Sequence, residues 1–253
     1  TKQDAIFPKT APEDPVFLWR YHSHPLWMIR KWLAVYPYQE VIRFCQFNNS
    51  LPDVDLRVNP LKNSREELLA TLQADHVRCK PSPYSPFGIV ASRDMDPRNH
   101  PRHREGRFAL QNQSSPLVCL YINPKPGERL LDYCAGEGGK TLLLGHLMKG
   151  KGEIHAHDRS HWRLESLQRR LRADGIGNVR LSGLRAIKKL GGTFDRLVLD
   201  APCSGSGFFR HQPELKWKLE VKNLFELNKL QLEILEDASP LLKAGGLLFY
   251  ITC

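Results

Sequence analysis

The sequence predicts an α/β protein, with a parallel, doubly wound sheet in its C-terminal half and a smaller α+β unit before it. Three observations carry this. From about residue 115, strand-length apolar runs alternate with helical ones, the rhythm of βαβ units whose strands are covered on both faces. The first of these runs leads into a glycine-crowded turn, "DYCAGEGGKT" (132–141). The later runs end in "DAPCSGSG" (200–207) and "TC" (252–253). In such sheets ligands bind beyond the carboxyl ends of the strands, so chemistry is sought where runs end.

The elements follow in order. Residues 15–50 read as helical, with Leu26, Ile29, Trp32 and Leu33 at helical spacing. His24-Pro25 is a helix start, and Pro37 divides the stretch into two short helices. Next comes a strand, "DLRVN" (55–59), then "SREELLATLQAD" (64–75) with Ser64 and Glu67 spaced as a capping box. The segment "RDMDPRNHPRHREGR" (93–107) carries five Arg and two His against three acidic residues. Its prolines and lack of apolar periodicity make it a loop, either a solvated turn or a phosphate contact. The expected strands are 129–134, 153–158, 179–182, 196–202 and 247–253, and the helices between them are 139–149, 160–174 and 221–243. The division expected is an N-terminal helical segment (1–50), a small α+β subdomain (51–110) and a nucleotide-binding domain (111–253).

Composition narrows the class. With 41% hydrophobic and 25% charged residues the chain is globular. No run of about 18 apolar residues appears, which argues against a helical membrane span. The formal net charge of +10 favours a polyanionic partner, chiefly nucleic acid. The six cysteines form no C-x-x-C pair, so no metal site is expected, and free thiols suit a cytoplasmic setting. The chain opens at Thr1 rather than Met, as after trimming, and without a signal-peptide pattern. A monomer is the default expectation.

Gly136, Gly138 and Gly139 let the chain turn tightly and let a ligand approach backbone N–H groups. Nineteen residues past Gly139 the second strand ends at Asp158, placed to accept both hydroxyls of a ribose. A P-loop fails because Cys134 stands where its first glycine is required, and G-x-G-G does not fit a dinucleotide fingerprint. S-adenosylmethionine, with one ribose and no phosphate, fits best.

Cys203 and Cys253 follow the fourth and fifth strands. Taken singly, each reads as a small buried hydrophobe. At neighbouring strand ends beside Asp200 they point to chemistry, and methylation of a pyrimidine carbon needs such a set. A thiolate adding to carbon 6 of cytosine makes carbon 5 nucleophilic. An acid near ring nitrogen 3, here Asp200, relieves the charge. A second cysteine nearby assists as the base when the carbon 5 proton leaves.

At these residues the sequence resembles the Sun/nucleolar-protein (RsmB-like) family of RNA (cytosine-5) methyltransferases, and its bacterial 16S ribosomal RNA branch in particular. The resemblance covers roughly residues 20–253. It is carried by "DAPCSGSG" with "RHQPELKW" (210–217), "LLKAGGLLFYITC" (241–253), "LRVNPLKNSREELLATL" (56–72) and "FALQNQSSPLV" (108–118). It implies a class I methyltransferase Rossmann-like sheet preceded by an RNA-recognition-like subdomain. By the family pattern Cys253 is the nucleophile and Cys203 acts in product release. The cofactor set is Cys134, Ala135, Gly136, Glu137, Gly138, Gly139, Lys140, Asp158, Arg163 and Asp200. The RNA contacts expected are Arg57, Asn59, Lys62, Arg102, Arg104, Arg107 and Arg210.

Three departures stand out. Gly136-Glu137 replaces the family's Ala-Pro and puts a carboxylate near the cofactor. Leu184 stands where the family has an adenine-contacting Asp, leaving Ser182 or a backbone carbonyl as acceptor. The family's final helix and two-strand hairpin do not follow Cys253, so the domain is expected to be C-terminally incomplete, with its fifth strand an open edge. The activity implied is RNA (cytosine-5) methylation, on ribosomal RNA by the branch resemblance. The alternative is a non-catalytic or truncated RNA-binding relative that keeps the fold.

Overall fold

The computed structural model describes residues 14–253. Residues 1–13, where the expected segment 1–50 begins, lie outside the described residues. The chain forms two compact units. One combines the N-terminal stretch to Pro52 with Cys203–Gln231 and Cys253; the other holds Asp53–Pro202 and Leu232–Thr252.

The first unit opens with α1 (Pro15–His22), α2 (Leu26–Leu33) and α3 (Tyr38–Asn49). Pro37 ends the second helix region as expected, but three helices form rather than two. Ser23 takes a left-handed φ of 52° and closes α1, and Pro25 then caps α2. Asp14 caps α1 by accepting from the Val16 N–H at 2.9 Å. Leu18, Ile29, Val41 and Cys45 form a fully buried core among the three helices.

The second unit starts with a small antiparallel sheet. Its elements are β1 (Val54–Val58), α4 (Arg65–Ala74), β2 (Cys79–Pro81), β3 (Gly88–Ala91), α5 (Pro101–Arg104) and β4 (Phe108–Leu110), in the order β2-β3-β1-β4. The capping box forms: Ser64 Oγ accepts from Glu67 N at 3.1 Å, and Glu67 Oε2 accepts from Ser64 N at 2.7 Å. The apolar side of α4 packs Leu68 and Leu72 on Leu56, Val58, Ile89 and Phe108. Segment 93–107 is not wholly loop: α5 makes one turn there, with His100 Nδ1 accepting from Arg102 N at 3.2 Å.

The larger sheet follows, with α6 (Ser114–Ile122), β5 (Arg129–Asp132), α7 (Gly139–Leu147), β6 (Glu153–Ala156), α8 (His161–Asp174), β7 (Val179–Leu181), α9 (Leu184–Lys188) and β8 (Phe194–Asp200). Past Cys203 come α10 (Leu215–Lys218) and α11 (Val221–Ala238), and then β9 (Leu242–Ile251). All neighbours pair parallel in the order β7-β6-β5-β8-β9. Ile122, Leu130, Leu143, Leu144, Ile154 and Val198 are fully buried together; each such side chain contributes about 1.5–3 kcal/mol by leaving water. The order reverses between β5 and β8, the switch point where ligands bind in open α/β sheets. Among the described residues β9 pairs with β8 and with no further strand.

Candidate active site

In the second unit the ends of β5, β6 and β8 gather three carboxylates. Asp132 closes β5 and is 1% exposed. Burial pushes its carboxyl up to about 7, although Thr141 Oγ1 donates to it at 2.6 Å. The chain then turns through Cys134 to Gly138. The Gly136 N–H donates to Asp158 Oδ2 at 2.9 Å, and Ser160 N donates to Asp158 Oδ1 at 2.8 Å. Two backbone bonds therefore fix the carboxylate that follows β6. Each of its oxygens keeps acceptor capacity, as a vicinal diol requires. Gly136 has φ 54° and open space on the side where a Cβ would stand. Gly138 has φ 82°, and a Cβ there would lie 2.1 Å from Leu167 Cδ1. The turn is thus open at one glycine and pressed against α8 at the other. Glycine turn, fixed carboxylate and open face together fit a nucleoside-bearing cofactor such as S-adenosylmethionine. Arg163 Nη1 stands 3.9 Å from Asp158 Oδ2, beside the same carboxylate.

Lys140 and Asp200 form the other part of this end of the sheet. Lys140 Nζ donates to Asp200 Oδ2 at 2.5 Å. Asp200, expected as the ring acid, is placed here as the acceptor of this hydrogen bond. Lys140, expected as part of the cofactor loop, is the donor in this pair.

Two further residues have protein partners. Glu137 Oε2 accepts from Ser166 Oγ at 3.3 Å on α8, and the Glu137 carbonyl accepts from Arg170 at 2.7 Å. Ser182 is not idle beside Leu184, which opens α9. Its Oγ lies 2.8 Å from His155 Nδ1 and its carbonyl 3.1 Å from His157 Nδ1.

In the first unit, Cys203 and Cys253 meet. Their sulfurs are 2.9 Å apart, and the Cys253 N–H reaches Cys203 Sγ at 3.5 Å. The hydrogen bond with Cys203 is the largest cause pushing the Cys253 thiol up; burial adds to it. Backbone hydrogen bonds from Gly207 and Gly205 act the other way. Burial also raises the other thiols: Cys45 to about 11, Cys119 and Cys134 to about 12, and Cys79 in the same direction.

The expected RNA contacts divide. Arg57 and Asn59 are 1% and 2% exposed and are corrected to structural residues. Arg57 Nε donates to Gln111 Oε1 at 2.6 Å and its guanidinium faces Asp174 at 3.9 Å; Asn59 Nδ2 donates to the Gly106 carbonyl at 2.9 Å. Because Arg57 projects from β1 into the larger domain, the sheet surface carrying it is covered. Lys62 donates to the Glu105 carbonyl at 2.5 Å. Arg102 pairs with Asp75 and Glu105, and Arg107 with Glu105. Arg104 is exposed. In the first unit, Arg210 donates to the Leu51 carbonyl at 2.7 Å and lies over the Phe47 ring at 5.0 Å. Among the described residues no three His, Cys, Asp or Glu side chains cluster as metal ligands, and no helix is long and apolar enough to cross a membrane.

A parallel sheet in this order, with a glycine turn after its first strand and an acid after its second, defines a class I methyltransferase domain; the four-strand order before it is ferredoxin-like. Comparison with known proteins makes this particular. Residues 119–253 match the family described as 16S rRNA methyltransferase RsmB/F, and residues 24–96 match the RsmF/B-like ferredoxin-like domain. A probable ribosomal RNA small subunit methyltransferase B of Bacillus subtilis is 32% identical over 96% of this chain and 55% of its own length. A human 28S rRNA (cytosine(4447)-C(5))-methyltransferase is 34% identical over 92% of this chain and 30% of its own. A crystal structure of a methyltransferase homolog from Pyrococcus horikoshii superimposes with a TM-score of 0.82 at 28% identity, over 96% of this chain and 78% of that one. The chain belongs to the RsmB/F branch of the Sun/nucleolar-protein family. It spans about half the length of the bacterial curated relatives it matches.

Proposed function

We propose that the protein transfers a methyl group from S-adenosylmethionine to carbon 5 of a cytosine in RNA, with Cys253 as covalent nucleophile. The observation that carries this reading is the pair of thiols 2.9 Å apart. They stand on chain segments that leave neighbouring strands whose last residues, Asp200 and Ile251, are register partners. In the sequence Cys203 is three residues past Asp200 and Cys253 two past Ile251. Ribosomal RNA is the substrate class we favour, because the named relatives act on small-subunit and 28S rRNA. The work is then that of a cytoplasmic protein.

Asp158 and the turn from Cys134 to Lys140 would hold the cofactor, which supplies an electrophilic methyl when bound. The protein's own residues do the rest. The Cys253 thiolate forms a bond to carbon 6, and the displaced electron pair moves into the ring. Lys140, oriented by Asp200, meets the charge that builds there. With carbon 5 methylated, its proton is removed by a base, for which Cys203 is placed, and the sulfur–carbon 6 bond breaks to restore the ring. Without that base the adduct persists.

The test uses methyl-labelled cofactor and unmodified ribosomal RNA. Cys253→Ala abolishes transfer, while Cys203→Ala accumulates a protein–RNA adduct that survives denaturing electrophoresis. Full transfer by Cys253→Ala removes Cys253 from the mechanism. Cofactor binding without transfer by the unaltered chain favours a non-catalytic RNA-binding relative.

A further inference from the structure

In the first unit, two successive phenylalanines beside Cys253 have opposite fates. Gly205 takes a left-handed φ of 72°, and the Phe208 N–H closes a turn on the Gly205 carbonyl at 2.8 Å. The Phe208 carbonyl accepts in turn from the His211 N–H at 2.9 Å and the Gln212 N–H at 2.8 Å. Phe209 is fully buried and anchors this turn, whereas Phe208 is 44% exposed. The turn abuts the cysteine: a Cβ on Gly207, the residue before Phe208, would lie 3.1 Å from the Cys253 carbonyl carbon and 3.3 Å from the Cys253 Cβ. Phe208 packs on His211, with ring centroids 5.9 Å apart and planes tilted by 49°. Arg210 lies between them in sequence, tied to the Leu51 carbonyl, and its guanidinium stands over Phe47, a second ring that is 59% exposed.

A lone exposed ring is ordinary. This one is fixed by its backbone, set next to an arginine and a histidine, and one residue from the glycine that touches Cys253. Aromatic rings interleaved with cations suit unpaired nucleic acid, because each base offers a π-face and each phosphate a charge. Attack at carbon 6 also requires a cytosine out of its stack, which leaves the neighbouring base without a stacking partner. We propose that Phe208, steadied by His211, is a stacking ledge for an unpaired RNA base next to the cytosine that Cys253 attacks. The ring replaces the face that the displaced cytosine gave up. This inference rests on the RNA-methylating reading of the site, yet its readout is base stacking and needs no methyl transfer.

Two measurements on the full chain test it. In the first, the chain is titrated with a single-stranded oligoribonucleotide that carries one cytosine, with 2-aminopurine placed on either side of it in turn. Stacking on an aromatic ring quenches this fluorophore. The unaltered chain quenches it on one side of the cytosine; Phe208→Ala loses the quenching and binds about tenfold more weakly. Phe208→Trp keeps both and Phe208→Leu keeps neither, a split that a merely structural role would not produce. The slope of log K against log salt stays that of the unaltered chain, because phenylalanine meets no phosphate. The second measurement needs no protein variant and so survives any misfolding: an abasic residue in place of the quenched base weakens binding by the unaltered chain about tenfold. Undiminished quenching and affinity in a folded Phe208→Ala chain, or an abasic strand bound as tightly as the complete one, overturn the ledge. A chain that stacks the base and transfers no methyl group overturns the methyltransferase reading instead, and leaves the ledge in place.

Discussion

Replacing Arg57 with Met separates two roles for an arginine that the sequence assigned to RNA. Its guanidinium is 1% exposed, and burial lowers it to about 10 from an ordinary 12.5. At 1.36 kcal/mol per unit, holding the charge inside costs about 3 kcal/mol. The position is tolerable because Asp174, whose carboxyl burial pushes up, faces it at 3.9 Å and Gln111 accepts from Nε at 2.6 Å. Met keeps the apolar stem but leaves Asp174 with Arg170 and Lys62 as its remaining cations. Breaking a buried pair from one side costs about 3–5 kcal/mol; with those cations left, we expect roughly 2–3 kcal/mol. For a protein of this size that is a fall of about 5–10 °C in Tm. Adding Asp174→Asn removes the stranded charge and restores at least half of the loss. RNA affinity measured between 50 and 200 mM salt keeps its slope, because Arg57 meets no phosphate. An unchanged Tm with a shallower salt slope would refute the argument and return Arg57 to the RNA interface.

Other perturbations follow from the same geometry. Asp132 has its carboxyl raised to about 7 from an ordinary 3.8 by burial, so its contribution favours the folded state below pH 4 and is lost as pH rises from about 4 to 7. Asp132→Asn, which still accepts from Thr141, therefore gains up to about 4 kcal/mol over the wild type at pH 8 and little at pH 4; urea midpoints that differ equally at both pH values contradict this. Gly138→Ala combines left-handed strain with a clash 2.1 Å from Leu167 Cδ1 and loses about 3 kcal/mol. Gly136→Ala, with φ 54° and open space, loses only about 1 kcal/mol; equal melting temperatures for the two deny the clash. Because Cys253 is exposed whereas Cys45 and Cys119 are buried, iodoacetamide on the native chain labels Cys253 ahead of Cys45 and Cys119, and labelling of Cys119 as fast as Cys253 would show that its burial is not protective.

How far the sequence reached depended on whether a feature was local. The parallel sheet was legible because strand and helix periodicities are properties of neighbouring residues, and the Ser64–Glu67 box formed as its spacing required. That Asp158 meets the glycine turn was legible because a strand end and a turn fix it to one place. The fate of a side chain beyond its own element was not legible. Nothing around Lys140 announces Asp200, sixty residues away and 2.5 Å distant. Nothing in "LRVN" says that the sheet surface bearing Arg57 is covered, since an alternating strand looks the same whether water or protein lies over it. Helix α6 was missed because "SSPLVCLYI" is apolar all round and lacks the one-sided pattern that marks a helix.

The net charge of +10 is a poorer guide to the RNA interface than it looks, because several cations are engaged inside the fold. Arg57 is buried, Arg196 is bound to both Glu128 oxygens and to the Ile122 carbonyl, and Lys216 is 3% exposed with Asn49 Oδ1 at 2.6 Å. In the basic segment 93–107, Arg93 pairs with Asp53, Arg102 with Asp75 and Glu105, and Arg107 with Glu105. Arg98 and Arg104 are the exposed guanidiniums of that segment outside these pairs. A charge already neutralised by a carboxylate displaces few counterions on meeting a phosphate. The double variant Arg98→Ala/Arg104→Ala should therefore flatten log K against log salt by about 1.4 for single-stranded RNA, at about 0.7 for each phosphate left without its arginine. Arg102→Ala/Arg107→Ala removes the same formal charge but releases Glu105, so its slope changes by less than half as much. If the two double variants flatten the slope equally, the ion pairs do not hold in the complex, and the whole segment must be counted as phosphate-facing.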